Sequence, residues 1–179
     1  METSDVRAKH WNFLTPEAEL SLLAGDITRE EFSRNRQKRA IDLVERFKLE
    51  SHHRLFEIGS GDGLVASIVS GHCHSIDCND VSRSFLQRAR KNCIDCASIR
   101  FHEIGTNYLD HLSSNTYDFG YSLSAFIHFN AYDIFNYLVD VERILKSKET
   151  IRRDKDLSHI IHIRKLLRCR RALKSKAKK

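Results

Sequence analysis

The chain has 179 residues, 41% hydrophobic and 30% charged, the balance of one soluble globular domain with bulk enough for a core. No run approaches the ~20 apolar residues of a membrane span, and no basic segment leads into an apolar one at the N-terminus, so no secretory leader is expected. The net charge of +6 is uneven: residues 146–179 hold 14 Lys and Arg against 3 Asp and Glu, so a tail of +11 follows a body of −5.

Residues 1–50 read as a helical lead-in. Thr15-Pro16-Glu17 has the form of a helix start, with Thr15 as N-cap and proline in the first turn. Thr28-Arg-Glu-Glu31 has the spacing of a capping box and opens a longer helix, in which Phe32, Ala40, Ile41, Leu43, Val44 and Phe47 recur at helical intervals.

Strands and helices then alternate. The sequence predicts strands over Arg54–Ile58, His74–Cys78, Ser98–Ile104 and Tyr117–Ser122. Between and after them it predicts helices over Leu64–Ser70, Val81–Lys91 and Ala131–Leu145. Such alternation with short connections implies a parallel sheet covered by helices on both faces.

The segment Arg54-Leu-Phe-Glu-Ile-Gly-Ser-Gly-Asp-Gly63 carries the most information. An apolar strand ends in glycines at alternating positions, Gly59, Gly61 and Gly63, and a second apolar run follows, with Asp80 after it. A strand, a glycine turn, a helix and a second strand bearing a carboxylate form a nucleotide-ribose pocket. The spacing Gly-x-Gly-x-Gly is not the Gly-x-Gly-x-x-Gly of dinucleotide folds, so a pyrophosphate is not the expected guest. Glu57, at the buried end of the strand, has a reason to be acidic if it faces a cationic ligand or orders the turn. Asp80 is also a candidate N-cap for the helix after it.

Residues 57–63 resemble motif I of the class I S-adenosyl-L-methionine-dependent methyltransferases, and Asp80-Val-Ser82 resembles the end of that family's second strand. Tyr117-Asp-Phe-Gly-Tyr-Ser122, ahead of Phe126-Ile-His128, resembles motif IV, and Val141-Glu-Arg-Ile-Leu-Lys146 resembles the late helix. The resemblance implies an α/β, Rossmann-like three-layer sandwich with a mostly parallel sheet over residues 51–146, N-terminal helices before it and a basic tail, residues 147–179, after it. It implies S-adenosyl-L-methionine as cofactor, with Gly59, Ser60, Gly61 and Gly63 along its methionine part and Glu57 near its amino end. Asp80 would accept from both ribose hydroxyls and Val81 would pack on the adenine. Thr106 and Asn107 stand where the family contacts the adenine amine, although its usual acidic residue is absent there. Ser122 and Leu123 would flank the transferred methyl, and His128 is the candidate general base.

The expected reaction is methyl transfer to a small-molecule or metabolite acceptor. The alternatives are an RNA or protein methyltransferase steered by the basic tail, or a cofactor-binding homologue without activity. The loop Ser122-Leu-Ser-Ala125 lacks the Asn-Pro-Pro-Tyr-like motif of nucleobase amino-methylation. The family's Pro-Gly-Gly turn and closing strands have no counterpart after Lys146, where 33 residues remain. The end of the sheet is therefore expected to be shortened, with at most one strand over Ser158–Arg164.

His72-Cys73-His74, Cys78 and Cys93-x-x-Cys96 have metal-ligating types, but Cys73 and Cys78 border or occupy a core strand. No metal is expected, and five cysteines without framework spacing read as reduced thiols of a cytoplasmic protein.

Overall fold

The computed structural model describes residues 10–14 and 27–146. The helix expected from Thr15 falls outside them, as do the whole of the tail 147–179 and the strand expected over Ser158–Arg164. Among the described residues no helix is long and apolar enough to cross a membrane.

The first long helix, α1 (Arg29–Phe47), starts where the capping box places it. Glu31 N donates to Thr28 Oγ1 at 3.2 Å and Thr28 N to Glu31 Oε2 at 2.9 Å, so each residue satisfies an end-of-helix donor of the other. Lys48 closes the helix in a left-handed conformation. Then come β1 (Arg54–Ile58), α2 (Leu64–Val69) running into a 3-10 turn (Ser70–His72), β2 (Ser75–Asp80), α3 (Arg83–Asn92), β3 (Ile99–Glu103), β4 (Phe119–Tyr121) and α4 (Ala131–Ile144).

The four strands form one sheet in the order β3-β2-β1-β4, every neighbouring pair parallel. Phe56 and Ile58 face one side and pack with Tyr137, Leu138, Val141 and Ile144 of α4. Leu55, Ile76, Cys78 and Tyr121 face the other, against Ala40 and Leu43 of α1 and Val65, Ala66 and Val69 of α2. Helices thus cover both faces of a parallel sheet, the Rossmann-like three-layer arrangement.

Three elements differ in their bounds from the sequence expectation in ways that matter for the site. Strand β2 runs two residues past Cys78, because Asn79 and Asp80 pair with His102 and Glu103 of β3. Helix α3 begins at Arg83, capped by Ser82, whose Oγ accepts from Phe85 N at 3.3 Å. Asp80 is therefore the last residue of a strand and not a helix cap. Strand β4 is shorter than Tyr117–Ser122. Tyr117 bridges instead to Leu145 in parallel, and Lys146 N donates to Tyr117 O at 2.9 Å, so the chain leaving α4 starts to pair beside β4.

The centre of the sheet is polar on the α4 side. Asp77, 2% exposed, accepts from Arg100 Nε at 2.8 Å and Tyr117 Oη at 2.8 Å, and lies 2.7 Å from His102 Nε2. Burial alone would raise its carboxyl, but hydrogen bonds from His102, Arg100 and Tyr117 outweigh it and hold Asp77 well below the usual carboxylate range. This cluster ties β2 to β3 and to the segment before β4.

Candidate functional site

A cleft open to solvent lies at the carboxyl ends of β1, β2 and β4, where parallel sheets place their ligands. Its floor is the glycine turn. Gly59 and Gly61 have φ of 72° and 55°, the left-handed region that a side chain resists. A Cβ on Gly59 would collide with Cβ of Ala125, so glycine is also what lets the loop after β4 cross the turn. Gly63 serves packing: a Cβ there would press on Ala89 and Cys93 at 3.0 Å, and it does not line the cleft.

The amides of the turn are already spent. Gly59 N and Ser60 N both donate to Asn79 O, at 2.8 and 3.2 Å, and Gly61 N donates to Asp80 Oδ2 at 2.8 Å. A turn whose N–H groups bind the next strand cannot cradle a phosphate.

Asp80 is thereby drawn across the tip of β2 onto the turn, its other oxygen accepting from Ser82 N at 2.9 Å. The residue is 7% exposed and lines the cleft. Burial raises its carboxyl, opposed by the backbone donors of Ser82, Gly61 and Val81 and by the charge of Arg36. Gly61 N and Ser82 N each reach a different oxygen, and a carboxylate accepts more than these, which suits a pair of vicinal hydroxyls.

Of the other residues singled out in the sequence, Val81, Leu123 and His128 join Gly59, Gly61 and Asp80 in the wall. Glu57, Ser60, Gly63, Thr106, Asn107 and Ser122 do not. Glu57 lies inside the sheet, 2% exposed, with its Oε2 accepting from Tyr121 Oη at 3.2 Å. Burial pushes its carboxyl up to about 8, against the opposing pull of Arg36 and Tyr121. The buried carboxyl is therefore largely uncharged at neutral pH and is not part of the cleft wall. Ser122 Oγ donates to Ile58 O at 2.7 Å and so ties β4 to β1. Thr106 and Asn107 are exposed and outside the cleft wall, which Ile104 lines. Ser60 buries a hydroxyl that has no hydrogen-bond partner among the described residues.

The loop between β4 and α4 closes one side of the cleft. Ser124 in that loop has φ 63°, and strain of this kind in a non-glycine residue collects at ligand sites. His128 packs edge-on against Trp11, with ring centroids 4.9 Å apart, and Trp11 also meets Phe85 at 6.0 Å. Burial, then the nearby His10, lowers the His128 imidazole, which favours the neutral ring at neutral pH. Asn12 anchors this N-terminal segment: its Oδ1 accepts from Ser82 Oγ at 2.9 Å and Ser84 N at 3.1 Å. Sequence reasoning missed Arg36, Phe85, Ser124, Phe129 and Tyr137 as wall residues. Trp11, the one tryptophan in the chain, had a signal only as part of a helical lead-in.

Among the described residues no group of three or more His, Cys, Asp or Glu side chains is placed to hold a metal ion. Cys73, Cys78 and Cys93 are buried and unpaired in disulfides, and burial raises all three thiols.

The sequence matches the family described as "methyltransferase domain" over residues 55–148. No curated protein matches it. The fold is similar to that of the YcgJ protein from Bacillus subtilis, with a TM-score of 0.55 and 20% identity, over 60% of this chain and 45% of that one. It is similar to phosphoethanolamine N-methyltransferase 1 of Haemonchus contortus, solved with phosphoethanolamine and S-adenosylhomocysteine, with a TM-score of 0.58, 12% identity, and 81% and 31% of the two chains. It is similar to magnesium protoporphyrin IX methyltransferase from Synechocystis, solved with S-adenosylhomocysteine, with a TM-score of 0.57, 15% identity, and 76% and 65%. At these identities the likeness is one of fold, and the chain spans about half the length of the first solved structures it matches. The family match covers more than half of the chain, and its residues build the glycine turn, the Asp80 contact and the loop over them: the chain belongs to the methyltransferase domain family.

Proposed function

We propose that the domain binds S-adenosyl-L-methionine in this cleft and transfers its methyl group to a small-molecule acceptor. The observation that carries the reading is the Asp80–Gly61 contact, which sets a buried carboxylate with open acceptor positions at the edge of a glycine floor. The residues present fit the cofactor. Asp80 can accept from two ribose hydroxyls, Val81 and Ile104 offer apolar flanks for a base, and the unpaired hydroxyl of Ser60 lies between two glycines of the wall.

Bound there, the cofactor supplies a methyl group already activated on a sulfonium. The protein's part is then alignment and exclusion of water. Leu123, Ser124 and Ala125 hold the loop that closes over the glycine turn, and Trp11, Phe85, Phe129 and Tyr137 make the remaining wall largely apolar. His128, neutral at neutral pH and part of that wall, can take a proton from a hydroxyl or ammonium nucleophile. A small acceptor is favoured because Trp11 and His128 meet edge-on in the same wall. The reading keeps residues 1–50 as lead-in, 51–146 as the binding core and 147–179 as a separate basic tail.

Calorimetric titration of S-adenosyl-L-methionine into wild type and Asp80→Ala tests this. Losing charge-assisted hydrogen bonds, at about 1.5–3 kcal/mol each, is expected to weaken binding by about tenfold or more. Equal affinity in two proteins of matching thermal midpoint overturns the reading.

A further inference from the structure

Among the described residues Arg36 of α1 is the one arginine or lysine in the wall of the cleft. Its side chain is 17% exposed. The guanidinium lies over the Phe32 ring, 4.7 Å from its centroid, and its Nη1 stands 3.9 Å from where a Cβ on Gly61 would be. Its closest acidic partner is Asp62 Oδ1 at 3.8 Å, too long for a hydrogen bond, and that oxygen also accepts from Leu64 N at 3.3 Å. None of its five N–H donors makes a hydrogen bond among the described residues. Guanidinium groups so far withdrawn from water are normally paired through those donors.

We propose that Arg36 binds a carboxylate at the glycine-turn end of the cleft, and that this carboxylate is the amino-acid end of the cofactor; the inference rests on the proposed function above. Three observations converge. The amides of Gly59, Ser60 and Gly61 are spent on β2, so none of these three is left for an anion there. Arg36 faces the same turn with all of its donors available. Asp62 stands beside it and Asp80 shares its wall, so the cation lies next to acidic groups. A single positive charge with a carboxylate beside it matches a zwitterion, whose carboxylate meets the arginine while its ammonium meets Asp62. A dianionic phosphate would meet stronger repulsion from Asp62 and Asp80.

The test compares ligands with and without the amino-acid end. S-Adenosylhomocysteine and 5′-methylthioadenosine, which lacks that end, are titrated calorimetrically into wild type, Arg36→Met and Arg36→Lys, with thermal midpoints recorded. Arg36→Met is expected to weaken S-adenosylhomocysteine by about tenfold or more and to leave 5′-methylthioadenosine within about twofold. Arg36→Lys is expected to fall between, since an ammonium keeps the charge but not the planar fork.

An equal loss for both ligands overturns the proposal, because Arg36 would then act through Asp80 or the shape of the turn. No loss for either overturns it as well. Wild type that binds neither ligand sinks the cofactor reading and this inference together. Wild type that binds both, with no discrimination in the variants, sinks this inference alone.

Discussion

Replacing Glu57 by glutamine raises the stability of the protein at neutral and alkaline pH, and the gain widens between pH 5 and pH 8. Glu57 is 2% exposed and its carboxyl is pushed up to about 8, chiefly by burial, from an ordinary value of 4.5. The native protein therefore holds a proton that the unfolded chain releases at lower pH. The stability associated with the neutral carboxyl is complete below 4.5 and is lost as pH rises towards 8. The loss runs at about 1.4 kcal/mol per pH unit, so by pH 8 it is on the order of 4 kcal/mol. Glutamine carries no charge, and its carbonyl can accept from Tyr121 Oη as Glu57 Oε2 does. Thermal midpoints of wild type and Glu57→Gln from pH 5 to pH 9 should diverge up to about pH 8 and then run parallel. Coincident curves across that range would show a carboxylate that ionises without cost. The acid limb should be unaffected, because it belongs to groups shifted the other way. Asp77 and Asp118 are held below their ordinary range in the native state, so their contribution is present above about pH 4 and lost on further acidification.

The contrast between Glu57 and Asp80 shows what the sequence disclosed about the site and what it could not. Both are acidic residues near the carboxyl ends of parallel strands, and both look like ligands in a linear reading. Register separates them. Glu57 pairs with Cys78 on one side and Tyr121 on the other, one residue inside the end of β1, and its side chain turns into the sheet. Asp80 is the last residue of β2 and reaches back to Gly61 N. Whether a carboxyl ends inside the sheet or over its edge depends on one residue of register, which local patterning fixes poorly when the strand end is polar. The same weakness placed the end of β2 at Cys78. Asn79 and Asp80 look like turn residues, yet their backbone pairs with His102 and Glu103 and Asn79 donates its side-chain amide to Glu57 O at 3.0 Å.

The glycine turn and β1 were legible because the signals there are local: an apolar run, then glycines where the backbone must adopt positive φ. Arg36 was not legible. It sits on a helix whose apolar spacing marks packing against the sheet, and nothing along the chain relates its polar face to a turn after the next strand. Thr106 and Asn107 were placed by analogy with the family alone. The structure turns them to solvent, while Ile104, read only as part of a strand, reaches the cleft.

Gly120→Ala is expected to destabilise the fold by on the order of 3 kcal/mol, although Gly120 sits in a strand at an ordinary backbone angle. Its role is room. Gly120 pairs with Phe56 across β1 and β4, and a Cβ at Gly120 would clash with the far edge of the Phe56 ring. Phe56 is fully buried and meets Tyr117 edge-on with centroids 5.5 Å apart, in the core that α4 covers. The ring therefore cannot swing aside without displacing Tyr117, whose hydroxyl is bound to Asp77. A methyl group at Gly120 forces either the ring off its rotamer or β4 away from β1, and β4 leads directly into the loop that roofs the cleft. Chemical denaturation of wild type, Gly120→Ala, Phe56→Leu and the double variant measures the clash. Phe56→Leu alone should be destabilising, through the space it leaves. Added to Gly120→Ala it should recover stability, because the smaller side chain frees the place the new methyl needs. Strictly additive losses would mean that the two residues do not compete for the same volume, and that the glycine in β4 has some cause other than the ring beside it.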